Sequence, residues 1–307
     1  MSRPRYPESS SEPIARERVK IWTQIGTCLV TGAALSLASG ASAHALKSGA
    51  ASQPAGSAII HLAQGGEGGE GGEGGEGGEG GQGGEGGEGG RATLAQDDVA
   101  YLTQLGLMRG HLNVGVDLYR QGEQEGAGVH MKHPADELYA DLVPALEARG
   151  AKGFADDLEN LASLVESGAP VGEVESAHEA VVARIEDAAD AATGAGPIDL
   201  KTRLQVILHL VRTAADEYAV GVKDGAVVND KEYQDALGFV RVAGSLLDGA
   251  SEEERAQAVD AVKQTREQLD SLAVAWPSVV PPDHVDTEAS LLYGAAARIE
   301  IASLSVR

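Results

Sequence analysis

The chain has 307 residues and carries 24 Lys+Arg against 47 Asp+Glu, a formal net charge of −23 at pH 7. Such a surface repels phosphate backbones and anionic lipid and concentrates cations, so nucleic acid is excluded as an expected partner. Cys28 is the only cysteine, which excludes disulfides and Cys-ligated zinc or iron–sulfur sites from everything that follows it.

The first 43 residues hold five basic and three acidic side chains, so all the excess acid lies beyond them. Arg16, Arg18 and Lys20 precede the apolar, small-residue stretch "IWTQIGTCLVTGAALSLASGASA", and "ASAHA" places small residues at the −3 and −1 positions of a cleavage site. A basic region, an apolar region and an A-x-A site are the three parts of a secretory signal. Residues 1–43 therefore read as a signal peptide cleaved after Ala43 or Ala45, which implies a periplasmic or secreted protein. The alternative is an uncleaved anchor, because the stretch is nearly long enough to span a bilayer; Gln24 and the threonines dilute its hydrophobicity. Membrane contact is expected only if that segment is retained.

Residues 44–94 read as a linker. Its centre, Gly65–Gly90, is a run of Gly-Gly-Glu repeats with one Gln. Glycine has the most backbone entropy to lose on ordering, and the run contains no apolar side chain to offset that loss. A disordered coil with an r.m.s. span of roughly 25–30 Å is expected, lengthened by repulsion among the glutamates. Carboxylates on such a coil bind cations weakly, since each coordination must order the chain.

From about residue 95 onward Ala, Leu, Val, Glu and Asp recur at helical spacing, broken by Gly/Pro clusters. The breaks predict helices near 98–121, 134–148, 153–167, 172–192, 198–223, 230–247, 251–275 and 285–305. Asn229 to Glu232 and Ser251 to Glu254 have the pattern of capping boxes, and Pro134 suits a first helical position.

The helices fall into two sets of four. "GHLNVGVDLY" (Gly110–Tyr119) answers "LHLVRTAADEY" (Leu208–Tyr218), "DELYADL" (Asp136–Leu142) answers "DKEYQDAL" (Asp230–Leu237), and "ARIE" recurs at Ala183–Glu186 and Ala297–Glu300. Three matches in the same order point to tandem duplication. The expected fold is all-α: a helical repeat over 95–195 and another over 196–307, packed as two antiparallel four-helix bundles or as one continuous body.

Bundles build metal sites from inward Asp, Glu and His on neighbouring helices. The candidate ligands are His111 and Asp117 on the first helix, and His130, His133 and Glu137 around the start of the second. The second repeat adds His209, Asp216, Glu217, Glu232 and Asp235. His209 and Asp216 stand seven residues apart and share a helix face, whereas His111 and Asp117, six apart, diverge by about 120°. Each has a structural counterpart reading: Glu232 as a capping residue, Glu137 as a first-turn acid, and His130 and His133 as solvated side chains in a Gly-rich loop. No H-E-x-x-H, G-x-S-x-G, P-loop or strand-borne G-x-G-x-x-G is present, and no enzymatic activity is expected.

The segment "HLVRTAADEYAVGVKDGAVVNDKEYQDALGF" (His209–Phe239) resembles the extracytoplasmic helical segment of bacterial high-affinity iron permeases. The resemblance rests on an acid–Tyr pair ending one helix (Glu217-Tyr218), the turn "VKDGAVVN" (Val222–Asn229), and "KEY" (Lys231–Tyr233) opening the next. It implies a periplasmic helical module associated with uptake of iron or another divalent metal, with Glu217 and Glu232 as the residues carried over. The permease's membrane helices and their Arg-Glu-x-x-Glu motifs are missing, so the chain is expected to bind, sense or deliver metal beside an envelope transport component. The alternative expectation is a non-catalytic structural or interaction module of the cell envelope.

Overall fold

A computed structural model of the chain describes residues 93–306 except Ala195. The expected signal peptide, its cleavage site and the Gly/Glu linker lie outside the described residues.

Beyond a short helical turn at residues 93–96, the chain forms α1 (Asp98–Arg120), α2 (Gln124–His133), a π-helical turn (Pro134–Leu138), α3 (Tyr139–Ala148), α4 (Ala155–Glu166) and α5 (Val171–Ala192). The second half comprises α6 (Leu200–Gly221), a two-strand hairpin of β1 (Val222–Lys223) and β2 (Ala226–Val227), α7 (Asp230–Asp248), α8 (Glu252–Gln257), α9 (Val259–Ser271), a 3₁₀ turn (Leu272–Ala275) and α10 (Ala289–Ser303). The fold is all-α, as the periodicity predicts.

Local chemistry sets the ends of these helices. The Asp97 side chain accepts hydrogen bonds from the Val99 and Ala100 amides, and Asp199 accepts from Thr202, so both α1 and α6 begin on an acidic cap. The Ser251–Glu254 capping box is formed in both directions. At Asn229 the side chain accepts from the Lys231 amide, and Glu232 is left to face α6. Between α6 and α7, Asp224 (φ 51°) and Gly225 (φ 80°) make the positive-φ pair that a tight hairpin requires.

Two expectations are corrected. The stretch Gln124–Gly128 is helical, not a loop, so the second helix of the first half begins ten residues before Pro134. Burial of Ala127, His130 and Met131 against α1 outweighs the weak helix propensity of Gly126 and Gly128. Pro134 accordingly lies within a continuing helical rod. Pro134 offers no N–H to the preceding turn, and a π turn follows it in which the Tyr139 amide donates to the Pro134 carbonyl. The helix expected over 251–275 is interrupted at Ala258, whose φ of −148° and ψ of 62° leave the helical region.

The α6–α7 hairpin is the centre of the packing. α10 lies against α6, α9 against α10 and α7, and α1 crosses both α6 and α7. α2 and α5 pack on α1, with α4 between them. Leu105, Met108 and Leu112 of α1 belong to the same apolar core as Leu204, Ile207 and Val211 of α6 and Phe239 of α7. The two halves thus share one continuous core.

At the α1–α7 crossing the backbones nearly touch. A Cβ on Gly238 would lie 2.4 Å from the Gly110 carbonyl oxygen, and one on Gly110 would lie 2.6 Å from the Phe239 ring. Only glycine fits at either position.

Candidate metal centre

That crossing positions a buried polar cluster. His111 follows Gly110 on α1, Asp235 lies about one turn before Gly238 on α7, and α2 brings His130 from the opposite side. His111 Nδ1 stands 2.5 Å and His130 Nδ1 3.0 Å from Asp235 Oδ1. Side-chain exposure is 5%, 2% and 10% for His111, His130 and Asp235, so water has little access to any of the three. One ligand-capable atom from each lies within 4.8 Å of the others.

The hydrogen bonding around the cluster is directional. Gln234 Nε2 donates to the Val279 carbonyl, which turns Gln234 Oε1 toward His130, where it lies 2.8 Å from Nε2. His130 Nε2 is therefore the donor, and in the neutral ring Nδ1 is left as a lone pair aimed at Asp235. His111 Nδ1 and Asp235 Oδ1 are buried and make no hydrogen bond of acceptable geometry despite their closeness. Buried polar atoms without a partner are uncommon and costly. A proton fits between His111 Nδ1 and Asp235 Oδ1 as they stand, whereas a cation bound by all three side chains requires that pair to open.

The titration directions agree with that electrostatic arrangement. Burial alone would raise the Asp235 pKa, but the charges of His111 and His130 outweigh it and hold the carboxylate well below its usual range. Burial likewise works against a charged His130, and the adjacent Asp235 carboxylate raises its pKa nonetheless. His133, whose ring centroid is 4.6 Å from that of His111, has a lowered pKa because of burial and then the charge of His111.

Around this core lies a more exposed set. His133 Nδ1 is 3.3 Å from Glu137 Oε1 at the surface. Glu217 on α6 is within hydrogen-bonding reach of Glu232 on α7; burial, then that neighbour, pushes its pKa up to about 9. Glu232 also acts electrostatically on both His130 and His133. Donors from α1, α2, α6 and α7 thus surround one region.

Three predicted residues lie elsewhere. His209 is exposed, in the field of Arg212, Asp97 and Glu300. Asp216 accepts a 2.7 Å hydrogen bond from the Tyr293 hydroxyl on α10. Asp117 pairs with Arg120 and Arg241, each at 2.8 Å. His209 and Asp216 share a helix face but lie about 10 Å apart along its axis, and each has separate neighbours. Gln234 and Phe239, whose ring meets His111 edge-on at 5.0 Å, were not among the expected site residues. An amide beside a ligand and an aromatic one turn away carry no sequence signal of their own.

One known family is similar to the second half. Residues 197–301 match the family described as "Iron permease-associated 4-helix bundle domain". The matched span contains the resemblance at His209–Phe239 and all of α6, α7 and α9. Glu217, Glu232, Gln234 and Asp235 lie inside it; His111, His130 and His133 lie outside. No curated protein and no solved structure matches the chain. Among the described residues no helix is long and apolar enough to cross a membrane.

Proposed function

We propose that the chain is an exported helical protein accessory to iron or other divalent-metal uptake, and that it holds its cargo ion at His111, His130 and Asp235. The observation that carries this reading is the buried convergence of three ligand-capable atoms, two of which have no hydrogen-bond partner. His130 supports it further, because a metal-bound imidazole typically donates its other N–H to a fixed acceptor, the role Gln234 Oε1 fills. The iron permease-associated family of residues 197–301 supports the connection to uptake.

The residues fit a cation by their chemistry. His111 and His130 offer neutral nitrogen donors and Asp235 an anionic oxygen. Glu232 and Glu137 lower the electrostatic cost of bringing a cation in from an already acidic surface. Nothing in the cluster resembles a nucleophile with its base, so binding and delivery are the roles assigned to it. An envelope metal-transport component is the partner this reading calls for.

Calorimetric titration of the purified chain with Fe(II) under anaerobic conditions, and with Zn(II) and Cu(II), is the direct test. One saturable site tighter than about 10⁻⁴ M, abolished in Asp235→Asn, is expected. Absence of any such site would leave the buried cluster as a packing device. The chain would then read as an interaction module, whose partner should be captured equally well with and without chelator.

A further inference from the structure

Resting on the metal-binding reading, the division of donors between the two halves has a consequence for which ions are held. The matched bundle, residues 197–301, brings only oxygen ligands to the site: Asp235, with Glu217 and Glu232 beside it. Gln234 Oε1 is already engaged by His130. Every nitrogen donor comes from the first half, His111 from α1 and His130 and His133 from α2. Oxygen-only sets suit Mg(II), Ca(II) and Mn(II), whereas imidazole suits Fe(II), Cu(II), Ni(II) and Zn(II).

We infer that the first-half helices are the specificity element of a composite site, with His111 and His130 making it selective for late first-row divalent ions over alkaline-earth ions and Mn(II). The geometry places those two nitrogens, and no others among the described residues, within ligand distance of Asp235. The same arrangement explains why α2 continues as helix through two glycines: its packing on α1 holds His130 at Asp235. Gly115 helps, since a Cβ there would lie 2.8 Å from the Met131 terminal methyl and 3.3 Å from His130 Cβ.

The test compares the full chain with His111→Asn and His130→Asn in competitive titrations of Zn(II) against Mn(II), with folding checked by circular dichroism. Asn keeps an amide nitrogen near the Nδ1 position, so the contact with Asp235 survives while the imidazole donor is lost. Each variant is expected to lower the Zn(II)-to-Mn(II) affinity ratio by more than about tenfold, as losses around metal sites typically do. Pulsed EPR of the unsubstituted chain with one equivalent of Cu(II) should show imidazole nitrogen coupling, and this readout does not depend on a variant folding. An unchanged ratio in both variants, or oxygen-only coordination of Cu(II), would overturn the inference while leaving metal binding intact. Failure of the unsubstituted chain to bind any of the three ions would instead remove the metal-binding reading and this one with it.

Discussion

His178 shows at the scale of one residue how environment decides behaviour. It lies half-buried on α5 with Nε2 3.0 Å from Asn113 Oδ1. Burial, then the charges of Arg120 and Arg109, lower its pKa to about 4. A histidine whose folded pKa lies below its unfolded value of about 6.5 binds its proton more readily in the unfolded chain. It therefore contributes stability that is full above about pH 6.5 and is lost as pH falls toward 4. His178→Gln should flatten that part of the stability–pH curve, the difference reaching at most about 3 kcal/mol. Denaturant unfolding at closely spaced pH values would read it, and curves that stay parallel from pH 7 to 4 would contradict it. Asp235 belongs to the opposite class. Replacing it with Asn removes the charge that sustains His130, and the two buried imidazoles then have no anion to face. A loss of stability of about 3–5 kcal/mol is expected in metal-free protein, measurable by the same unfolding.

Among the helices, the α1–α7 crossing sets the geometry that the cluster depends on. Gly238→Ala would drive a methyl into the Gly110 carbonyl. The helices must then separate, at a cost of about 1–3 kcal/mol typical of overpacking. Because His111 adjoins Gly110 and Asp235 is about one turn from Gly238, the same substitution should weaken metal binding without touching a ligand. Gly244, on the same helix with open space around its Cβ, is the matched control, since alanine there should be tolerated. Equal metal affinity in Gly238→Ala and Gly244→Ala would show that the close crossing has no part in forming the site.

For the whole molecule, one apolar core joins α1 to α6 and α7 across the expected repeat boundary. Thermal unfolding should accordingly be a single transition, with calorimetric and van't Hoff enthalpies in agreement. Two resolved transitions would mean that the halves fold apart. An ion held between them stabilises only the docked state, so saturation at 100 times Kd should add about 2.7 kcal/mol, read as a rise in Tm that chelator reverses. The net charge of −23 should also make cation association faster at low ionic strength than at high.

The all-α class, most helix spans and the Ser251–Glu254 capping box were legible in the sequence itself, because periodicity and caps act within a few residues of chain. The family resemblance at His209–Phe239 was legible for the same reason: its turn and flanking acids are contiguous. Tertiary packing decided the rest. Helix α2 exists because α1 buries one of its faces, a contact that local propensity does not encode. His111, His130 and Asp235 were all recognisable as ligand-capable, yet so were His209, Asp216 and Asp117, and residue type does not separate the two groups. The crossing of α1 over α7 separates them, bringing together side chains more than a hundred positions apart while leaving a same-helix pair two turns distant.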